Sequence, residues 1–280
     1  MPTPDPYTDL HLHTTFSDGA DTPEAVVARA VENGFTAIAI TDHDTLTGIP
    51  RAQAAANKAG LELMPGVEIS ARWGKMEIHI LGLGVDPYSE SLTQALQVLA
   101  DERATRAEKI VAKLNALDVP VDYAAIKEKC GDGVIGRMHI AQEIVALGHA
   151  DTIQGAFDLY IKAGKRAYVP KKAMSCAEAI DAIHAAGGLA FIAHPCIGKV
   201  RNSLDKILQL PFDGIEVFHS RHNPSHIAEL KTAAKKRGLL ISGGSDCHGS
   251  IKGHAPLMGR IRFPYDRYQR IKDRLAPPPS

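Results

Sequence analysis

Residues 7–44 read YTDLHLHTTFSDGADTPEAVVARAVENGFTAIAITDHD, and one complete turn of an α/β fold is legible in them. Tyr7 to His13 alternates with a period of two and then meets the loop Thr14 to Ala20, so it is a strand. Thr22 is a good helix N-cap with Pro23 at the first helical position, Glu24 to Glu32 is helical in composition, and Asn33-Gly34 closes the helix. Phe35 to Thr41 is a compact apolar strand. The two strands end in His11 and His13 and in Asp42-His43-Asp44, polar tips on apolar stems.

Working outward, the rhythm repeats. A helix over Pro50 to Ala59 stops at Gly60, and strands follow at Leu61 to Glu68 and, after a turn at Trp73-Gly74, at Met76 to Leu83. From about Ser89 to Arg166 no strand pattern appears. The helical stretches Leu92 to Leu117 and Arg137 to Leu147, separated by Pro120 and the Gly131 to Gly133 loop, predict a helical insertion. The alternation resumes with Ser175 and Glu178, a capping box opening a helix that ends at Gly187-Gly188. Strands at Leu189 to Ala193, Gly214 to Phe218 and Leu239 to Ser242 follow, with helices at Ser203 to Leu210 and Pro224 to Arg237 between them. Seven strands alternating with helices predict an α/β chain with a parallel sheet closed into a barrel, an open doubly wound sheet being the alternative. The expected division is a first barrel part at 1–88, the helical insertion at 89–167, a second barrel part at 168–275 and a proline-rich tail at 276–280.

The bulk composition narrows the function classes. An apolar fraction of 45% and a charged fraction of 23% are those of an ordinary globular protein. Lysine plus arginine and aspartate plus glutamate each total 32, so no global positive field holds long nucleic acid. Ten basic and ten acidic residues between Val98 and Ala167 likewise favour end recognition over tracking along a strand. No apolar run approaches the roughly 18 residues of a membrane span, and no leader pattern opens the chain, so a cytoplasmic location is expected. The four cysteines show no CxxC pairing and are read as reduced thiols.

Histidine is the abundant class, at 13, and its placement carries the chemistry. In a β/α barrel the C-terminal strand ends converge on one mouth. Here they carry His11 and His13, Asp42-His43-Asp44, Glu68, His79, His194, His219 with His222 just beyond, and Asp246 with His248. Residues two apart on a strand share a face, so His11 and His13 address one target. So many polar groups at one mouth are uncompensated unless they bind cations or substrate. Mixed imidazole and carboxylate donors suit zinc, manganese or iron, and their number exceeds the four or so that one zinc requires. Several divalent ions in one mouth suit phosphoryl-transfer hydrolysis and select an anionic substrate.

The series His11-Leu12-His13, Ser17-Asp18-Gly19, Thr41-Asp42-His43-Asp44, Gly66-Val67-Glu68, Glu77-Ile78-His79, Ala193-His194-Pro195 and Gly244-Ser245-Asp246-Cys247-His248 resembles the PHP (polymerase and histidinol phosphatase) family. The resemblance implies a distorted seven-stranded (β/α)7 barrel with up to three divalent metals at its mouth, manganese first, with iron or zinc as alternatives. By motif, Glu68 would bridge two metals. One would take His11, His13 and Asp246, a second His79 and His194, and a third Asp18, His43 and His248.

Gly136-Arg137-Met138-His139 and Tyr168-Val169-Pro170 resemble the subgroup that includes nucleoside 3′,5′-bisphosphate phosphatases and the 5′–3′ exoribonucleases of the RNase AM (TrpH/YciV) type. The implied reaction is hydrolysis of the 3′-phosphoester of a 5′-phosphorylated nucleotide or short RNA. Arg137, His139 and Lys171 are the candidate phosphate contacts, Arg137 because its fork suits a phosphate. His222 or His219 is the candidate acid for the departing 3′ oxygen. The chain departs from the subgroup at Cys196-Ile197-Gly198 and at Lys171-Lys172-Ala173-Met174, which touches substrate choice rather than metal binding. The alternatives are a histidinol phosphatase or other phosphomonoesterase, and a non-catalytic PHP module.

Overall fold

The computed structural model describes residues 5–131, 133, 135–170, 173–249 and 255–276. Seven long strands form the framework: β1 (Tyr7–Leu12), β2 (Ala37–Ile40), β3 (Glu62–Trp73), β4 (Met76–Leu83), and, after the two-residue β5 (Met174–Ser175), β6 (Leu189–Ile192), β7 (Gly214–His219) and β8 (Leu240–Gly244). A short β9 (Phe263–Pro264) completes a sheet ordered β8-β7-β6-β4-β3-β2-β1-β9, with β5 on β3. The sheet curls until β1 meets β8: Leu12 bridges Cys247, and the Asp246 N–H donates to the His11 carbonyl at 3.0 Å. The result is a nearly closed mixed barrel.

One expectation is corrected. The sheet is not wholly parallel, because β4 runs antiparallel to both β3 and β6. The reason is the length of the β3–β4 link: Trp73 pairs with Met76, with Gly74 at φ +59° in the turn, and so short a connection cannot hold a crossover.

The helices follow the local signals. On the barrel lie α1 (Pro23–Glu32), capped by Thr22, and α2 (Ile49–Ala59), closed by Gly60 at φ +69°. Between β4 and β5 the elements are all helical: α3 (Glu90–Asn115), α4 (Tyr123–Cys130), α5 (Arg137–Ala146) and α6 (Ile153–Ala156), the last running into a π-turn at Phe157–Ile161. They share an apolar cluster of their own, including Ile110, Leu114, Ile126, Ile140, Ile144 and Ile161. Next come α7 (Cys176–Ala185) with the Ser175/Glu178 capping box, the single turn α8 (Leu204–Ile207), α9 (Pro224–Arg237) and α10 (Tyr265–Leu275).

Alternation along the strands sorts two cores. Ile38, Ile40, Val67, Ile69, Ile78, Ile80, Ile192, Ile215 and Val217 face outward against the helices. Leu10, Ala37, Ala39, Met64, Leu81, Leu83, Leu189 and Phe191 fill the barrel, which Tyr268 and Ile271 of α10 close at one end. At β1 the register against β2 shifts between Asp9 and Leu12. That irregularity sends Leu10 inward and Leu12 outward, and leaves His11 and His13 on the inner face.

The closing helix is fastened at Glu62, which accepts hydrogen bonds from Tyr265, Tyr268 and Lys272. Burial pushes its carboxyl up, and these three partners outweigh burial and lower it. Glu62→Ala is expected to cost about 1–2 kcal/mol, a fall in Tm of roughly 3–6 °C. The lowered folded-state pKa sets the sign. The gap between wild type and variant should be full above 4.5, the ordinary glutamate value, and close as pH falls through the lower folded value, as thermal melts at several pH values will report.

Candidate metal centre

Glu68 stands on the inner face of β3, fully buried, at the focus of five histidines. Its Oε2 lies 3.2 Å from His11 Nε2, His13 Nε2 and His43 Nδ1. Its Oε1 lies 2.9 Å from His79 Nδ1 and His194 Nε2. Asp246, past the end of β8, places Oδ1 3.2 Å from His13 Nε2 and 3.5 Å from His11 Nε2. Asp18 lies 3.1 Å from His248 Nε2 and 3.9 Å from His43 Nε2. All nine residues singled out as ligands in the sequence therefore meet at one mouth.

The surrounding chain holds them there. Buried Asp42 accepts hydrogen bonds from the Thr14 amide, the Thr14 hydroxyl and the Ser17 hydroxyl, fixing the loop that carries Asp18. Asp44 accepts from the Ser70 amide and from Arg103. Of the Asp42-His43-Asp44 tip, only His43 faces the cluster, and its neighbours support it. Gly244 lets β8 approach β1, since a Cβ there would sit 2.3 Å from the His11 Cβ. Of the non-glycine residues with positive φ among those described, Asp44 (55°), His194 (29°) and Asp246 (55°) lie here, so backbone strain concentrates at the site.

The electrostatics suit cations. Burial pushes the carboxyls of Glu68, Asp18 and Asp246 upward, yet the facing imidazoles hold all three well below the usual carboxylate range. Burial lowers His43 to about 3, so its ring is neutral and can donate a lone pair. His11 Nε2, His13 Nε2, His43 Nδ1, Asp18 Oδ1 and Glu68 Oε2 are buried without a hydrogen-bond partner. Converging nitrogen and oxygen atoms left without a hydrogen bond are what divalent cations satisfy. Four sets of described residues have ligand atoms close enough to hold an ion: His13, Asp18, His43 and His248; His11, His13, Glu68 and Asp246; His43, Glu68 and His79; and His11, Glu216 and His219.

Beside the cluster opens a cavity of about 390 Å³. Asp18, His43, Glu77 and His79 line it together with Arg103, Arg106, Arg137 and Arg221, and with apolar Ile110, Ile135 and Phe157. Arg137 lies in the first turn of α5, its guanidinium 5.5 Å from the centre of the Phe157 ring. Burial and the neighbouring Arg137 lower Arg106 to about 10, a sign of positive charge crowded together.

The remaining candidates separate. His219 is buried with both ring nitrogens engaged: Nε2 lies 3.2 Å from Asp246 Oδ2, and Nδ1 accepts the Arg221 N–H. His222 donates Nδ1–H to the Val217 carbonyl at 2.9 Å, which leaves Nε2 buried and without a partner. His139 does not line the arginine cavity. Its Nδ1 accepts the Gly136 N–H, and its ring faces a smaller cleft with Ile126, Lys129 and Cys130. Lys171 lies outside the described residues.

Sequence reasoning missed Arg103, Arg106, Arg221 and Glu216. Glu216 is fully buried, 2.9 Å from His11 Nδ1. The signal was present, because outward Ile215 and Val217 on β7 force Glu216 inward. Arg103 and Arg106 carried no comparable mark, since charged residues on a long helix are usually solvated.

Three comparisons bear on this arrangement. The 5′-3′ exoribonuclease Rnm of Salmonella typhimurium is 37% identical over 86% of this chain and 84% of its own length. The 3′,5′-nucleoside bisphosphate phosphatase of Chromobacterium violaceum is 35% identical over 88% of each. A crystal structure of a Bifidobacterium adolescentis protein described as a metal-dependent phosphoesterase superposes with a TM-score of 0.88 at 32% identity, covering 98% of both chains. Residues 9–191 match the PHP domain, and with the strand-end histidines and carboxylates gathered around Glu68 the chain belongs to the PHP domain family.

Proposed function

We propose that this protein is a metal-dependent phosphoesterase, a hydrolase that cleaves the 3′-phosphoester of 3′,5′-bisphosphonucleotides and of short 5′-phosphorylated RNA. The single observation that carries the reading is the continuity of the cavity, which joins the candidate ligands Asp18, His43 and His79 to a wall of guanidinium groups. A substrate with one phosphate at the metals and a second anion a nucleotide away fits both ends. A phosphomonoester such as histidinol phosphate places no second anion against Arg106 and Arg137, whereas Arg103 is already paired with Asp44. The names of the similar exoribonuclease and bisphosphate phosphatase support the same choice.

In this reading Glu68 would be shared between two metals. His11, His13 and Asp246 would hold one, His79 and His194 the second, and Asp18, His43 and His248 the third, with manganese as the proposed ion. Divalent ions held there supply Lewis-acid polarisation of phosphoryl oxygens and a water acidified toward neutrality. The protein's own groups do the rest. Arg137 and Arg106 hold the second phosphate, and His139 acts through the Gly136 N–H by fixing the start of the helix that bears Arg137. His222 is the proposed proton donor to the departing 3′ oxygen, because its Nε2 is free to take up the proton shed by the attacking water and pass it on, while both His219 nitrogens are committed. Lys171 is kept as a further phosphate contact from the sequence alone. The helical elements between β4 and β5, with their separate apolar cluster, are proposed as an insertion of 89–167 in a barrel built from 1–88 and 168–275.

Among the described residues no helix is long and apolar enough to cross a membrane. We place the protein in the cytoplasm, consistent with its four unpaired cysteines.

The test is phosphate release from adenosine 3′,5′-bisphosphate, AMP and histidinol phosphate with manganese and with chelator. Turnover is expected on the bisphosphate alone, and only with metal. Fast turnover of histidinol phosphate with none on the bisphosphate would sink the reading.

A further inference from the structure

Strand β7 sends two polar side chains into the barrel, Glu216 and His219, and the ligand sets proposed above need neither. Glu216 is 0% exposed, and a carboxylate taken wholly out of water is costly unless its oxygens are engaged. Both are. Oε1 lies 2.9 Å from His11 Nδ1 on β1, and Oε2 accepts the main-chain N–H of His194, just past β6, at 2.7 Å. One side chain thus ties together histidines from two other strands.

The chemistry of the donors fixes what this does. An ionised carboxylate only accepts, so the proton between Glu216 and His11 sits on Nδ1. His11 Nε2 is then the nitrogen left to meet a cation, and it points to Glu68 Oε2 at 3.2 Å and Asp246 Oδ1 at 3.5 Å. The second bond acts on the main chain of His194, whose φ of +29° is costly for a residue with a Cβ. Holding that peptide keeps His194 Nε2 2.9 Å from Glu68 Oε1.

We propose that Glu216 is a positioning residue of the metal centre, setting the Nδ1–H tautomer of His11 and pinning the backbone of His194 so that both Nε2 atoms face Glu68. The proposal rests on the reading of His11 and His194 as ligands. Glu216, His11 and His219 also lie close enough to hold an ion themselves. Hydrogen bonding already occupies the facing atoms of that trio: Glu216 uses both oxygens, and His219 both nitrogens. The local chain makes the geometry possible. The register of β7 against β8 shifts between Glu216 and Phe218, which lets Glu216 and His219, three positions apart, both turn inward.

The test uses the full chain with Glu216→Gln and Glu216→Ala, read two ways. In the zinc-loaded protein, where a bound cation takes the place of the Nε2 proton, long-range proton–nitrogen spectra of the histidine rings should show His11 with its proton on Nδ1 in wild type. That signature should be lost in Glu216→Ala. Glutamine keeps the shape but offers one acceptor in place of two, so Glu216→Gln should disturb either the His11 tautomer or the His194 amide. In manganese titrations against a competing chelator, both variants should keep the wild-type stoichiometry and bind about 10- to 100-fold more weakly.

Wild-type affinity in both variants would overturn the proposal. So would the loss of one ion with the others unaffected, which would make Glu216 a ligand. If the alanine variant does not fold, the near-isosteric glutamine variant decides. A wild-type protein that takes up no divalent ion refutes the ligand reading instead, and the His194 amide shift, which should move in both variants, still decides whether Glu216 holds that peptide.

Discussion

Glu68→Gln is expected to lower kcat/KM by at least about 10³-fold, ~4 kcal/mol of transition-state stabilisation. The substitution keeps the volume of the side chain and changes its chemistry at the most connected point of the site. Glu68 Oε2 faces three imidazole nitrogens and Oε1 faces two more, so an amide nitrogen at either position turns a donor hydrogen toward lone pairs. It also removes the one negative charge that two of the proposed sets share. Glu68 belongs to two of the four groups of ligand atoms described above, so a single change disturbs both. Metal content should fall with activity, and a metal analysis run beside the kinetics separates loss of ions from loss of fold. Full metal content with more than a tenth of wild-type activity would show that Glu68 does not bridge.

How far this site could be read from the sequence depends on which residues bring their own signal. His11 and His13 mark themselves by strand alternation, Glu68 by closing the expected strand Leu61 to Glu68, although β3 runs on to Trp73, His79 by lying within the next strand, and His194 by following a strand end. The same logic reached the seven long strands. It failed where a contact is made by topology instead of pattern. Nothing local says that β4 is antiparallel except the shortness of the Trp73–Met76 turn. Nothing local says that Asp42 and Asp44 turn away from the cluster while His43 turns toward it, because that is set by hydrogen bonds to Thr14, Ser17 and Ser70 elsewhere in the chain. The register shifts in β1 and β7 are equally silent, and without them His11 and His219 would not both face inward. Arg103 and Arg106 are the sharpest case. On α3 they look like an ordinary polar face, and only the packing of α3 over the mouth leaves each 8% exposed beside the metal centre.

Those arginines lead to the second large effect. Arg137→Ala is expected to lower kcat/KM on adenosine 3′,5′-bisphosphate by about 10²-fold, ~3 kcal/mol, the scale of truncating one partner of a desolvated charge pair. On adenosine 3′-monophosphate, which has no second phosphate, the same variant should change kcat/KM by less than about threefold. Crowded positive charge sets the size of the effect. Arg137 occupies the first turn of α5, where the helix dipole already disfavours a cation. Arg106 lies near enough that burial and Arg137 together lower it to about 10. Glu77 answers Arg137 only at 3.9 Å. An anion entering the cavity relieves repulsion that the free protein sustains, so its binding energy is large and local. Arg137→Lys should recover part of the loss, since it keeps the charge without the two-pronged donor. Kinetics distinguish two uses of that energy. A raised KM with unchanged kcat means the second phosphate only anchors the substrate, and a lowered kcat means it aligns the scissile ester at the metals. Equal losses on both substrates would place Arg137 at the reacting phosphate and remove the basis for a second-phosphate pocket.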